Sequence, residues 1–215
     1  MTHRTLVFDL DGTLIDSAPS ILAGYAAAFE ATGLAPHRAL TADLIGPPLR
    51  QTLKLILGRS DEAALDALVD AFMSYYDSEG YRASQVYAGI DTLLSELAAQ
   101  AAPLYLATNK RWHPTQLILD HLGWKGHFRA AHALDGPQPP LANKGALLRW
   151  MVSAHGLQAS ECLYVGDRDE DGEAADAAGM PFQRVPWGYG PEQADALPPL
   201  QATQQLAAKL KAWLG

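Results

Sequence analysis

The sequence predicts an α/β fold: a doubly wound, Rossmann-like parallel sheet with an all-helical domain inserted after its first strand. Two observations carry this. Over residues 85–215, short apolar runs alternate with segments of helical period, the pattern of right-handed βαβ units. Residues 17–84 show helical period alone, with no strand signal. The boundaries follow: residues 1–16 and 85–215 form the core domain, and residues 17–84 the helical insert.

Residues 4–8 read as a short buried strand. From Pro19 the period becomes helical, with Ile21, Leu22, Tyr25, Ala28 and Phe29 on one face, and Gly33 stops that helix. A second helix covers 49–57. A third follows Ser60, its expected N-cap, with Asp61 and Glu62 in the first turn. Its stripe is Leu65, Leu68, Val69, Phe72 and Tyr75. Helix 91–100 then leads to strand 103–107, and Pro114 opens a helix reaching Leu122. A weaker strand covers 128–133, and residues 135–140 are rich in turn formers. Helix 143–155 precedes strand 161–165. Helix 170–178 ends at Gly179, strand 181–186 follows, and the last helix is 201–213.

The 215 residues suffice for one sizeable domain or a core with an appendage. Apolar residues make up 48% and charged residues 19%, so the chain is expected to be globular. A net charge of −8 argues against nucleic acid as a partner, which needs a basic face. An acidic protein still binds phosphate locally if it recruits a cation. Cys162 is the lone cysteine, which excludes an internal disulfide and reads as a buried packing thiol. The apolar run before Asp9 is too short for a signal sequence, and no run reaches membrane-spanning length. The expectation is a cytoplasmic protein without a membrane partner, monomeric or homodimeric.

Chemistry concentrates after the strands, where ligands sit in a doubly wound sheet. Asp9-Leu-Asp11-Gly12-Thr13 follows the first strand. Thr108-Asn109-Lys110 follows residues 103–107. Gly166-Asp167 through Asp171 follows residues 161–165. Lys144 stands near the start of a helix after the Pro-rich loop. Carboxylates two residues apart at the end of a buried strand are costly unless paired or bound to metal.

These segments, FDLDGTLID, LATNK, NKGALL and GDRDED, occur in the order of the four motifs of the haloacid dehalogenase superfamily, which the chain resembles over nearly its whole length. The helical insert resembles the C1 cap of that superfamily. IGPPLRQTL (45–53) and PWGYGPE (186–192) look most like the phosphoglycolate phosphatase branch.

The resemblance implies a Mg²⁺-dependent phosphatase acting on a small phosphorylated metabolite. Asp9 would be the nucleophile, forming an aspartyl-phosphate, and Asp11 the general acid and base. Mg²⁺ would be held by Asp9 and Asp167, with Asp11 adding its backbone carbonyl. Gly12, Thr108, Asn109 and Lys144 would bind the phosphate. Thr13 would orient the loop, and Asp171 would orient Lys144 or a water. Arg50, in the insert, is a candidate substrate contact. Lys110 reads as a surface lysine, and Asp169, Glu170 and Glu173 as charges suited to a helix N-terminus. His113 and the scattered tryptophans read as packing or rim residues. The competing readings are a β-phosphoglucomutase-type sugar phosphomutase and a pyrophosphatase or nucleotide phosphatase. A non-catalytic binding protein would need a lost nucleophile or ligand, and Asp9, Asp11, Lys144 and Asp167 are all present.

Overall fold

The computed structural model describes residues 4–190 and 198–215. Five parallel strands form the main sheet: β1 (Thr5–Phe8), β4 (Leu104–Thr108), β5 (Ala130–Ala133), β6 (Cys162–Gly166) and β7 (Phe182–Arg184). Their order is β5-β4-β1-β6-β7, with Leu6 paired to Leu104 on one side and Leu163 on the other. The chain runs outward from β1 to one edge and later returns to fill the other. The order therefore switches at β1, the place where such sheets bind ligands.

The strands are apolar on both faces because both faces are covered. Leu6, Phe8, Leu104, Leu106, Leu163 and Val165 face one core. α4 (Ile90–Ala99), α5 (Trp112–His121) and α8 (Pro199–Leu214) contribute Leu94, Ile118 and Leu210 to it. Val7, Tyr105, Ala107 and Tyr164 face the other, against Leu147, Leu148 and Met151 of α6 (Lys144–Ala154) and Ala175 of α7 (Asp169–Ala177). Cys162 is buried there, and burial pushes its thiol up to about 11, consistent with a packing role.

Between β1 and β4 the chain builds the helical block expected from its period: α1 (Ala18–Thr32), α2 (Leu49–Leu57) and α3 (Glu62–Ser78). Tyr25, Phe72 and Tyr76 stack in series inside it, with ring centroids 5.1 and 5.2 Å apart. Two details differ from the sequence reading. Asp61, not Ser60, caps α3, its carboxylate accepting from the Ala64 N–H at 3.0 Å. Tyr76, not Tyr75, is the buried tyrosine of the stripe.

The chain leaves and re-enters the core through two short antiparallel strands, β2 (Ile15–Asp16) and β3 (Gln85–Val86). Two residues per strand give no readable alternation, so this pair was invisible to periodicity. Among the described residues no helix is long and apolar enough to cross a membrane.

Candidate active site

The carboxyl ends of β1, β4 and β6 bring Asp9, Thr108 and Asp167 together, all buried. Lys144, the first residue of α6, places its Nζ 3.0 Å from Asp9 Oδ2 and 2.5 Å from Asp171 Oδ1. Asp171 is fixed in turn, its Oδ2 accepting from the backbone N–H groups of Asp167 and Arg168 at 3.1 Å each. Asp171 thus anchors the Lys144 ammonium beside Asp9 Oδ2. Burial opposes the Lys144 charge, but Asp171 and Asp9 more than offset it and hold the ammonium well above its usual range.

Asp9 has one oxygen on Lys144, while its Oδ1 is buried with no hydrogen-bond partner among the described residues. Burial pushes its carboxyl up to about 7; Lys144 opposes this, and Asp171, Asp167 and Asp11 add to it. Asp167 is raised to about 6, again mainly by burial, although the Tyr189 N–H donates to it.

Gly12 sits at φ +83°, and a Cβ there would fall 2.7 Å from the Asp167 Cγ. Only glycine permits both the turn and that approach. The Thr13 hydroxyl donates to Asp167 Oδ1 at 3.3 Å, tying the loop after β1 to the loop after β6.

Asp11 faces a different set of partners. Its carboxylate accepts from the Ser17 hydroxyl at 2.5 Å and from Lys110 Nζ at 3.1 and 3.3 Å. Lys110 is therefore no surface lysine. Its side chain is only 6% exposed, and its Nζ lies 4.7 Å over the Tyr76 ring. Burial works against its charge, and Asp11 raises it back above the usual lysine range. Lys110 was missed because an isolated lysine carries no periodic or spacing signal. Its position two residues after Thr108 was the one available clue.

The Thr108 hydroxyl accepts from the Lys110 N–H at 3.2 Å. Arg111 is the N-cap of α5, three residues on. Asn109 donates through Nδ2 to the Gly46 carbonyl of the helical block at 3.1 Å, leaving its Oδ1 buried without a partner.

A cavity of about 60 Å³ lies at this junction. Asp11, Asn109 and Lys110 line its core side, and Ile21, Tyr25 and Tyr76 its helical side. Arg50 does not line it. Its guanidinium is exposed and paired with Asp66 and Glu62, at 2.6 and 2.7 Å. The loop before α2 contributes Gly46, Pro47 and backbone carbonyls instead. Arg50 sits on a helix whose outer face meets two acids of α3, and sequence alone could not orient that face.

Asp9, Asp167 and Asp171 bring carboxylate oxygens within 4.8 Å of one another. All-oxygen donors suit a hard divalent cation, not a thiolate- or imidazole-seeking metal. Because Asp171 is already engaged by Lys144 and two amides, the donors left are Asp9, with its orphaned Oδ1, and Asp167. Asp11, expected to offer the metal its backbone carbonyl, has its side chain turned to Ser17 and Lys110. The residues fit a cation, and the acidic cluster can hold one.

The family model for haloacid dehalogenase-like hydrolases matches residues 6–185. The chain belongs to this family. A phosphoglycolate phosphatase of Xanthomonas campestris pv. campestris is 35% identical over 189 residues, covering 86% of this chain and 84% of that one. A 5'-nucleotidase of Pseudomonas aeruginosa is 31% identical over 195 residues, covering 89% and 86%. The solved structure of a predicted phosphatase from Clostridium acetobutylicum is 25% identical, with a TM-score of 0.80, covering 99% of this chain and 100% of that one. This haloacid dehalogenase-like hydrolase is a phosphatase by family and by relatives, and its parallel sheet with helices on both faces is the fold of its structural neighbours.

Proposed function

We propose that this hydrolase is a Mg²⁺-dependent phosphatase of small phosphomonoesters that works through an aspartyl-phosphate on Asp9. The observation that carries the reading is the pairing of Asp9. One oxygen is anchored by Lys144 at 3.0 Å, and the other is buried with no partner among the described residues. An oriented carboxylate with a free oxygen is a nucleophile.

Asp9 attacks phosphorus in line, and the P–O bond to the leaving group breaks. Asp11, held by Ser17 and Lys110, gives that oxygen its proton. Water then attacks the aspartyl-phosphate, Asp11 takes a proton from it, and inorganic phosphate leaves with Asp9 restored. Lys144, the Thr108 hydroxyl and the Asn109 backbone N–H bind the phosphoryl oxygens, beside the close turn at Gly12. Asp9 and Asp167 hold Mg²⁺, assisted by the Asp11 backbone carbonyl. When bound, the cation supplies charge neutralisation between the carboxylate and the phosphoryl dianion.

Residues 17–84 act as the cap. Three contacts seat it on the core: Asn109 to the Gly46 carbonyl, Arg168 to the Ile45 carbonyl at 2.7 Å, and Arg111 on Asp77 at 2.5 and 2.9 Å. A cap seated over a small cavity excludes bulk water from the reaction. A space of about 60 Å³ favours a small leaving group, such as the glycolate of a phosphoglycolate-like substrate. A nucleotide phosphatase is the second reading, supported by the 5'-nucleotidase relative, and it needs a wider cap position. Both named relatives are hydrolases, which favours water over a second sugar hydroxyl as acceptor and so disfavours the mutase. The lone buried thiol fits a reducing cytoplasm.

The test is phosphate release from a panel of phosphoglycolate, hexose phosphates, nucleotides and pyrophosphate. Activity is expected with Mg²⁺ and is abolished by a chelator. Asp9→Asn lowers it at least about a thousandfold with the fold intact. Undiminished turnover in Asp9→Asn rules out the assignment.

A further inference from the structure

One loop touches Gly12, Thr13 and Asp167 of this site and has no role in the chemistry above. Residues 187–190 follow β7 and lie across the loop after β1. The Trp187 indole N–H donates to the Thr13 carbonyl at 3.0 Å. Gly188, at φ +93°, is pressed so close that a Cβ would stand 2.5 Å from the Asp167 Cβ. A Cβ on Gly190 would overlap the Asp167 carbonyl. The Tyr189 backbone N–H donates to Asp167 Oδ2 at 2.7 Å.

The side chain of Tyr189 reaches the opposite way, to the point where the chain leaves the core. Its hydroxyl accepts from the backbone N–H groups of Ser17 and Ala18, at 2.7 and 2.9 Å, and donates to Asp16 Oδ1 at 2.8 Å. One hydroxyl thus uses its proton and both lone pairs on the last residue of β2 and the start of α1. The returning crossing is engaged as well, since the Trp187 and Tyr87 rings meet at a tilt, centroids 5.9 Å apart, just after β3. A loop that only packed against the core would not satisfy the first two amides of a helix in the other block.

We propose that Tyr189 is a positioning residue that couples the crossing between core and cap to Asp167. Its hydroxyl holds the crossing, its backbone N–H holds the carboxylate, and the tight glycines on either side leave the loop no slack. When the crossing shifts, Tyr189 shifts the Asp167 carboxylate with it. Conversely, a cation on Asp167 steadies the crossing, because coupling between two sites is reciprocal. The proposal rests on the reading that Asp167 holds the cation.

Two readouts test it on the metal-free full chain: calorimetric titration with Mg²⁺, and hydrogen exchange at residues 15–18 and 85–87 with and without Mg²⁺. In the wild type, Mg²⁺ is expected to slow exchange at both crossings. Tyr189→Phe keeps the ring and the backbone N–H, yet is expected to weaken Mg²⁺ about tenfold and to remove that slowing. Asp16→Ala cuts the hydroxyl's hinge partner without touching Tyr189 or Asp167, and is expected to weaken Mg²⁺ in the same direction. A merely structural hydroxyl would speed exchange but leave Mg²⁺ affinity within about twofold in both variants, and that result overturns the coupling. Failure of the wild type to bind Mg²⁺ removes the metal reading and the coupling together. Wild-type binding with unaltered variants removes the coupling alone.

Discussion

Lys110→Met isolates the ion pair that holds the proton-transferring carboxylate. The wild-type ammonium sits 3.1 and 3.3 Å from the two Asp11 oxygens. Lys110 and Asp11 side chains are 6% and 11% exposed, so water cannot replace the lost partner. Methionine fills the stem's volume and leaves Asp11 with only the Ser17 hydroxyl. Breaking a buried pair from one side costs about 3–5 kcal/mol, because the remaining charge is left uncompensated. A surface pair would cost about 0–1 kcal/mol. The double variant Asp11→Asn/Lys110→Met removes both charges and is expected to recover most of the loss, giving a large favourable coupling in the cycle. Urea unfolding of the four proteins at neutral pH measures this. A single-variant loss below about 1 kcal/mol, additive with Asp11→Asn, would refute the buried-pair reasoning.

Two further outcomes follow from the same geometry. Gly12→Ala forces a side chain onto left-handed backbone, costing about 1–2 kcal/mol, and drives its Cβ into the Asp167 carboxylate. Urea unfolding should show that loss and calorimetry a collapse of Mg²⁺ binding; retention of wild-type Mg²⁺ affinity would contradict the close approach. Burial also makes the metal-free protein pH-sensitive, since Asp9 is raised to about 7 and Asp167 to about 6, above the ~3.9 of an unfolded aspartate. The folded state therefore binds more protons. This contribution to stability is fully present below the unfolded value and is lost as pH rises through about 6 to 7. Cation binding needs both groups ionised, so the rise in melting temperature on adding Mg²⁺ should be larger at pH 8 than at pH 5. An equal shift at both pH values would contradict the assignment of these two carboxylates as ligands.

The parts legible in the sequence share a physical cause. Strands such as β1 and β6 announce themselves because both faces are buried, and Asp9, Thr108 and Asp167 stand at or just after the ends of β1, β4 and β6. These three could thus be placed by position, whereas Lys144, at the start of α6, was raised only by the motif it belongs to. Lys110, Arg50 and Tyr189 could not be placed, because their roles depend on which way a side chain points across a tertiary contact. Lys110 turns inward beneath Tyr76 of the helical block. Arg50 turns outward to Glu62 and Asp66. Tyr189 spans 172 residues of sequence to reach Ser17. Propensity and spacing constrain neither the rotamer nor the partner in such cases. The two-residue strands β2 and β3 were hidden for a different reason: they are shorter than the period that reveals a strand.

The charges of the assembled site give the proposed chemistry a reason to recruit a cation. Asp9, Asp11, Asp167 and Asp171 bring four carboxylates to the strand ends, and Lys110 and Lys144 bring two ammonium groups. With every group ionised the site carries −2 before a phosphoryl dianion arrives. Each lysine is already committed, Lys110 to Asp11 and Lys144 to Asp9 and Asp171. Their charges are already balanced by these carboxylates, so the hydrogen bond Lys144 offers a phosphoryl oxygen adds no net positive charge to the site. Burial first, and the neighbouring carboxylates second, raise Asp9 toward neutral pH, so the metal-free site relieves its excess negative charge by taking up protons. A protonated Asp9 is a poor nucleophile. In the proposed mechanism a divalent cation on Asp9 and Asp167 would offset the −2 and keep Asp9 ionised while Lys144 orients it. Proton and cation would then compete for the same two carboxylates, and only the cation would leave Asp9 able to attack.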